Sequence, residues 1–295
     1  MRLIFELSRP RTLPLALAVI CCGNALAYAQ GLWRLSVFLL SILTALSLQI
    51  LSNMANDYGD GIRGTDRNRP AHAPRRLTAD GIIPAASMRK LLIAATIVSL
   101  SFGIALLAIS IRNWSELFVF LILGILAILA AITYTVGRYA YGYYALGEVS
   151  VFCFFGLLGV IGSYYLQSGY YNASILLPAT GCGLLSAAVL HVNNLRDIDN
   201  DKAAGKHTIA VKLGFARGKR LHLVLLISAS LCYLAYASIV PYSALWLLLT
   251  PKLIAHGKRL YQADTPAIAG KELSSIVLCT CMLNLLFSLG LCLHV

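Results

Sequence analysis

Residues 35–66 read LSVFLLSILTALSLQILSNMANDYGDGIRGTD, an apolar run that passes without a break into a row of oxygen-bearing side chains. A bilayer crossing takes about 20 apolar residues, and residues 35–56 supply one. The row that closes it is Asn53, Asn56, Asp57 and Asp60. At 100° per residue these four fall within an arc of about 100° on one helix face. Asp66 follows after Gly61 and Gly64, which are expected to break the helix. A second stretch, HVNNLRDIDND at 191–201, has the same character, with Asn193, Asp197 and Asp201 spaced four apart. They drift only about 80° around a helix. Carboxylates stacked in this way repel unless positive charge lies between them. Two such faces brought together suit hard divalent cations, above all Mg²⁺ shared with phosphate oxygens.

The rest of the chain says where these faces stand. Of 295 residues, 59% are hydrophobic and 12% charged, with a mean hydropathy of +0.76. Soluble domains carry about 25% charged residues, so this is an integral membrane protein. The expected fold is all-α, a multi-pass bundle of about nine helices at roughly 12–30, 35–56, 89–111, 115–136, 145–167, 174–195, 220–240, 242–258 and 273–293. The first follows Arg9 and Arg11 without a small-residue cleavage site and reads as a retained span. The eighth, bracketed by Pro241 and Pro251 and interrupted by Lys252, is expected to be short or broken.

With the N-terminus in the cytoplasm, 22 of the 24 Lys and Arg residues fall in inside segments, leaving only Arg34 and Arg112 outside. That asymmetry orients nine spans with the C-terminus outside. It assigns the +12 net charge to topology, anionic lipid and phosphate rather than to nucleic acid. Four spans separate the two acidic stretches, so both emerge on the cytoplasmic face. The expectation is one membrane-embedded domain over 1–295, with Asp-rich cytoplasmic loops at about 57–88 and 196–219.

Eight cysteines lie inside apolar runs without a CxxC pair and read as small buried hydrophobes. Asp80 and Asp199 point away from the shared faces and read as solvated. Tyr141, Tyr143, Tyr144 and Trp33 read as interfacial belt residues. His191 and Gln49 read as interhelical hydrogen-bond partners. Arg138, the lone charge of a short loop, reads as functional. A divalent-cation transporter also uses intramembrane Asn and Asp, but nearer the midplane and on interrupted helices. Here the acids end their spans beside basic loops, which suits a phosphorylated ligand. A CDP-alcohol phosphotransferase would carry DGxxAR ahead of its aspartates, and the chain has none.

Several motifs in order resemble the UbiA-type membrane prenyltransferase superfamily. Within it they are most similar to the menaquinone-pathway branch, which prenylates 1,4-dihydroxy-2-naphthoate. RPRTLP at 9–14 is similar to that branch's RPKTLP. NDYGD at 56–60 with RGTD at 63–66 is similar to NDYxDxxKGxD. NNLRDI at 193–198 with Asp201, AGK at 204–206 and Thr208 is similar to NNLRDIxxDxxAGKxT. LGE at 146–148 and FFG at 154–156 also fit, whereas the YPxxKR of the 4-hydroxybenzoate branch is absent. The chain departs from the branch at RPAHAP, 69–74, where RIGP is usual, and at Gly137-Arg138, where GP is usual. The resemblance implies Mg²⁺-dependent transfer of a polyprenyl group from its diphosphate to the naphthoate ring with loss of CO₂, in a bacterial inner membrane. Its alternative is another aromatic acceptor such as 4-hydroxybenzoate. It implies Asp57, Asp60, Asp197 and Asp201 as catalytic, with Asn53, Asn56 and Asn193 completing the metal face. For diphosphate and substrate it implies Arg11, Arg63, Asp66, Tyr134, Arg138, Glu148, Arg196 and Lys206.

Overall fold

The computed structural model of the protein describes residues 2–10, 12–65 and 76–293. Arg11 and Asp66, both expected to contact substrate, lie outside them, as does loop 67–75. Among the described residues all regular structure is helical, and seven helices are long and apolar enough to cross a membrane. The first pass is a 16-residue helix, Leu13–Tyr28, with proline in its opening turn. The expected weak eighth span changes winding partway. Pro241–Leu249 is a 3₁₀ helix and Thr250–Gln262 an α-helix, because Pro251 enters where an α-helix can start and cannot continue one. With these two, nine passes can be traced, as the hydropathy pattern predicts.

Two spans depart from simple helices. The fifth, Gly147–Ser168, is π-wound over Phe152–Gly162, a rare winding that is frequent at functional sites. Its Gly156 meets the sixth span backbone to backbone. A Cβ there would stand 2.6 Å from Gly183 Cα and 2.7 Å from the Ala179 carbonyl oxygen. The sixth span, Leu176–Arg196, is the most buried of the seven and packs against the fifth, seventh and ninth. The fourth, Trp114–Thr133, fully buries only Ile128; Leu117 and Ile132 pack partly against neighbouring clusters, and Leu121 and Ile125 line the cavity described below.

Apolar packing divides the bundle into two large clusters and a small one, Val37, Leu106, Leu107 and Leu166, that joins the second, third and fifth spans. One large cluster draws on the first span and the fifth to ninth, including Val19, Leu185, Tyr233 and Phe287. The other draws on the second to fourth, including Leu51, Met54, Leu92 and Ile128. At the end of the second span remote from Asp60, the two arginines expected outside are tied to helix C-termini. Arg34 donates to the carbonyl oxygens of Ile109 (2.8 Å) and Leu166 (2.9 Å), and Arg112 to that of Ser168 (3.0 Å). Terminal carbonyls lack helical donors, so these cations join the second, third and fifth spans.

Candidate active site

The second span, Leu35–Arg63, carries its acidic row on unbroken helix. Gly61 does not end it, contrary to expectation. Gly64 does, at φ +74°, and the turn brings the Thr65 N–H back to the Asp60 carbonyl at 3.1 Å. The glycine within NDYGD has a tertiary cause. A Cβ on Gly59 would lie 2.6 Å from Thr135 Oγ1 and 2.7 Å from its carbonyl carbon and oxygen. Thr135 in turn donates to the Ala55 carbonyl at 2.9 Å. This contact seats the loop that carries Tyr134.

The second acidic stretch is not one helix. The sixth span ends at Arg196, Asp197 stands between helices, and a six-residue helix, Ile198–Ala203, carries Asp201. The i to i−4 ladder survives the break, with Asp197 N–H on the Asn193 carbonyl (3.1 Å) and Asp201 N–H on that of Asp197 (2.8 Å). Gly205, at φ +71°, then reverses the chain so that the Lys206 N–H meets the Asp201 carbonyl at 2.8 Å. The Lys206 ammonium stands 3.9 Å from Asp60 Oδ2 and 3.9 Å from Asp201 Oδ1. The two stretches, 140 residues apart in sequence, therefore meet across one buried cation. Burial alone would lower the Lys206 pKa, but Asp60 and Asp201 outweigh it and raise it.

The remaining acidic-face residues take different partners. Asp57 accepts the backbone N–H groups of Leu77 (3.1 Å) and Thr78 (2.9 Å), so both its oxygens hold the returning loop. Asn53 donates to the Ser8 carbonyl (2.8 Å) and Thr12 Oγ1 (3.2 Å), tying the N-terminal segment to the bundle. Those bonds give both residues a structural duty, and both also line the cavity described below. Asp197 receives Arg196 Nε at 2.8 Å and Nη2 at 2.5 Å, and the same Nη2 reaches Asn193 Oδ1 at 2.9 Å. Gly270 makes room for that arginine, since a Cβ there would lie 2.4 Å from Arg196 Cγ. Asn56 Oδ1 is buried, on a residue that lines the cavity, and has no hydrogen-bond partner among the described residues.

A cavity of about 1890 Å³ opens between the two large apolar clusters. Asn56, Asp60, Asn193, Asp197, Asp201 and Lys206 line its polar end. From there it runs along Ile104, Leu107, Leu121 and Ile125 of the third and fourth spans. Tyr134 lines it too, with its phenol pKa raised well above the ordinary value by burial and then by Glu148, Asp60 and Asp201.

Three expected contacts are displaced from this lining. Arg63 lies beside the Tyr143 ring, 4.3 Å from its centroid, and donates to the Gly137 carbonyl. Arg138 is exposed and faces Tyr139 at 5.6 Å. Glu148 is buried behind the wall, where Oε1 meets His191 Nδ1 (3.1 Å) and accepts from Asn194 Nδ2 (3.0 Å). The basic partner that the motifs missed is Arg76, which lines the cavity with Nη2 3.9 Å from Asp60 Oδ2. Nothing local distinguishes it from Arg75, its neighbour in the basic run. Tyr143 is no belt residue either. It is buried, and its hydroxyl donates to Asp60 Oδ1 at 2.9 Å. Asp80 and Asp199 are exposed, as expected.

A helical membrane protein whose two acidic stretches face one another across a buried lysine, over an apolar cavity, has the parts to hold an isoprenoid diphosphate. The model of the UbiA prenyltransferase family matches residues 16–282, and the chain belongs to that family. Over 297 residues it is 46% identical to the 1,4-dihydroxy-2-naphthoate octaprenyltransferase of Haemophilus influenzae, covering 99% of this chain and 96% of that one. To the protein of the same name from Escherichia coli K12 it is 43% identical, covering 97% and 94%. The fold is similar to the apo structure of a UbiA homolog from Aeropyrum pernix K1, with a TM-score of 0.70 at 16% identity over 94% of this chain and 96% of that one. It is also similar to a UbiA homolog from Archaeoglobus fulgidus bound to DMAPP and Mg²⁺, with a TM-score of 0.57 at 17% identity over 94% and 97%.

Proposed function

We propose that this protein is a 1,4-dihydroxy-2-naphthoate polyprenyltransferase of menaquinone biosynthesis. It transfers a polyprenyl group from polyprenyl diphosphate to the naphthoate ring with loss of CO₂. The observation that carries the reading is the meeting of Asp60 and Asp201 across Lys206 at the polar end of an apolar cavity. The near-full-length likeness to two proteins of that name supports the choice of acceptor.

The donor set is all oxygen, and Asn56 Oδ1 among it, buried and without a partner among the described residues, suits a hard cation. Asn56, Asp60, Asp197 and Asp201 would hold Mg²⁺, with Asn193 behind them. Bound there, Mg²⁺ neutralises charge developing on the leaving diphosphate. Lys206 and Arg76 face the same charge from the protein side. The allylic C–O bond breaks and its electron pair leaves with the diphosphate. The apolar walls of the third and fourth spans hold the isoprenoid tail and keep water from the allylic cation. The ring carbon bearing the carboxylate forms the new C–C bond. Its bond to the carboxylate then breaks, those electrons restore the aromatic ring, and CO₂ departs.

The protein is one membrane domain of a bacterial inner membrane, with its N-terminus and both acidic stretches cytoplasmic and its C-terminus outside. The charge asymmetry of the sequence supports that orientation. The test uses purified protein with Mg²⁺, a polyprenyl diphosphate and carboxyl-labelled 1,4-dihydroxy-2-naphthoate. Labelled CO₂ is expected in step with prenylated product, and both stop on adding chelator. Prenylation of 4-hydroxybenzoate with its carboxylate retained would remove the acceptor assignment. Metal flux across proteoliposomes without prenyl transfer to any acceptor would remove the enzyme.

A further inference from the structure

Tyr143 is where four cytoplasmic-end segments come together. Its hydroxyl gives its single proton to Asp60 Oδ1 at 2.9 Å, so at the 2.6 Å contact with Thr65 the threonine hydroxyl is the donor. Its carbonyl accepts the His207 N–H at 3.0 Å, and Asn200 Nδ2 donates to the Thr65 carbonyl at 3.0 Å. The Tyr143 ring lies 4.3 Å from the Arg63 guanidinium and 5.5 Å from the Lys206 ammonium. Tyr143 and Thr65 are both buried.

The two oxygens of Asp60 are thereby divided. Oδ1 is held by the phenol, and Lys206 and Arg76 each stand 3.9 Å from Oδ2. A carboxylate oxygen that already accepts from a buried donor keeps only one lone pair, so a metal binds more readily through the other oxygen. Mg²⁺ asks for that, since it takes single oxygens in a near-ideal octahedron. Ca²⁺ accepts six to eight oxygens and gains from a carboxylate that binds through both.

We propose that Tyr143 is a positioning residue that biases cation binding toward Oδ2 of Asp60, against two-oxygen binding, and so favours Mg²⁺ over Ca²⁺ at this site. The inference rests on the reading of Asp60 as a metal ligand given above. Tyr143→Phe keeps the ring beside Arg63 and Lys206 and removes only the hydroxyl, freeing Oδ1. Thr65→Val removes the threonine donor and leaves the bond from Tyr143 to Asp60 in place.

Calorimetric titration of full-length protein in lipid nanodiscs, with Mg²⁺ alone and with Ca²⁺ alone, separates the cases. In Tyr143→Phe the affinity ratio of Ca²⁺ to Mg²⁺ should rise by about tenfold, the scale of one hydrogen bond to a charged group. In Thr65→Val it should stay within about twofold of wild type, since the Asp60 bond is intact. Thermal unfolding of each variant shows whether the fold is kept. A wild-type ratio in a folded Tyr143→Phe protein overturns the inference and leaves the metal site standing. An equal shift in Thr65→Val also overturns it, because loop loosening would then be the cause. Wild-type protein that binds neither metal, and still prenylates after chelation, removes the metal reading and this inference with it.

Discussion

The two acidic stretches reach the same cavity by different means. The first is rigid in its own helix, and distant segments hold its side chains. Loop residues Leu77 and Thr78 take Asp57, Tyr143 takes one oxygen of Asp60, and Thr135 presses on Gly59. The second breaks at Asp197 and holds its charges with its own neighbours, Arg196 on Asp197 and Lys206 on Asp201. Spaced carboxylates need compensation, and the fold offers two sources: hydrogen-bond donors from elsewhere, or cations a few residues away. The first source links catalytic geometry to stability. The two sources meet at Lys206, which serves Asp60 as well as Asp201.

Removing a ligand charge from either side is expected to have the largest effect and to test whether the sides are equivalent. Asp60→Asn and Asp197→Asn should each lower turnover at least about a hundredfold, because each weakens the grip on a catalytic metal. Initial rates at saturating substrates measure this. A mild effect in only one would show that the two stretches do not share the cation. Next comes the residue between them. Lys206→Met should lower kcat/KM for the diphosphate substrate by about a hundred- to a thousandfold, the range for losing one charge-stabilising donor.

Asp57→Asn should sharpen the contrast from the side of stability. A neutral amide in place of a carboxylate that accepts two backbone N–H groups should cost about 1–3 kcal/mol, read as a lower unfolding midpoint in detergent. Asp199→Asn, its counterpart on the exposed face of the second stretch, should leave that midpoint unchanged. The smallest effect is expected at Arg138, which stands outside the cavity. Arg138→Ala should keep kcat/KM within about twofold of wild type, as exposed charges contribute little. A larger loss would return that loop to the site.

Much of this was legible in the linear sequence, because membranes leave few choices. A bilayer forces unbroken apolar helices, so nine passes and the weak eighth could be counted from hydropathy and proline alone. Helical periodicity gathered Asn56, Asp60, Asn193, Asp197 and Asp201 into two faces, and the cavity lining contains all five. Lys206 could be singled out through AGK at 204–206, which is similar to the family's motif.

Tertiary structure decided which cations and hydroxyls attend those faces. Arg76 and Arg75 are identical side chains in one basic run, and Arg63 and Arg138 stand nearer to recognisable motifs than either. Only the return of the loop over Asp57 brings Arg76 to Asp60. Tyr143 reads as one more aromatic at an interface until the turn at Gly64 puts Thr65 beneath it and Asp60 within reach of its hydroxyl. The physical reason is one of range. Periodicity and solvent transfer act over neighbouring residues and can be read in sequence order. A hydrogen bond or ion pair between residues 80 positions apart depends on where the folded chain returns.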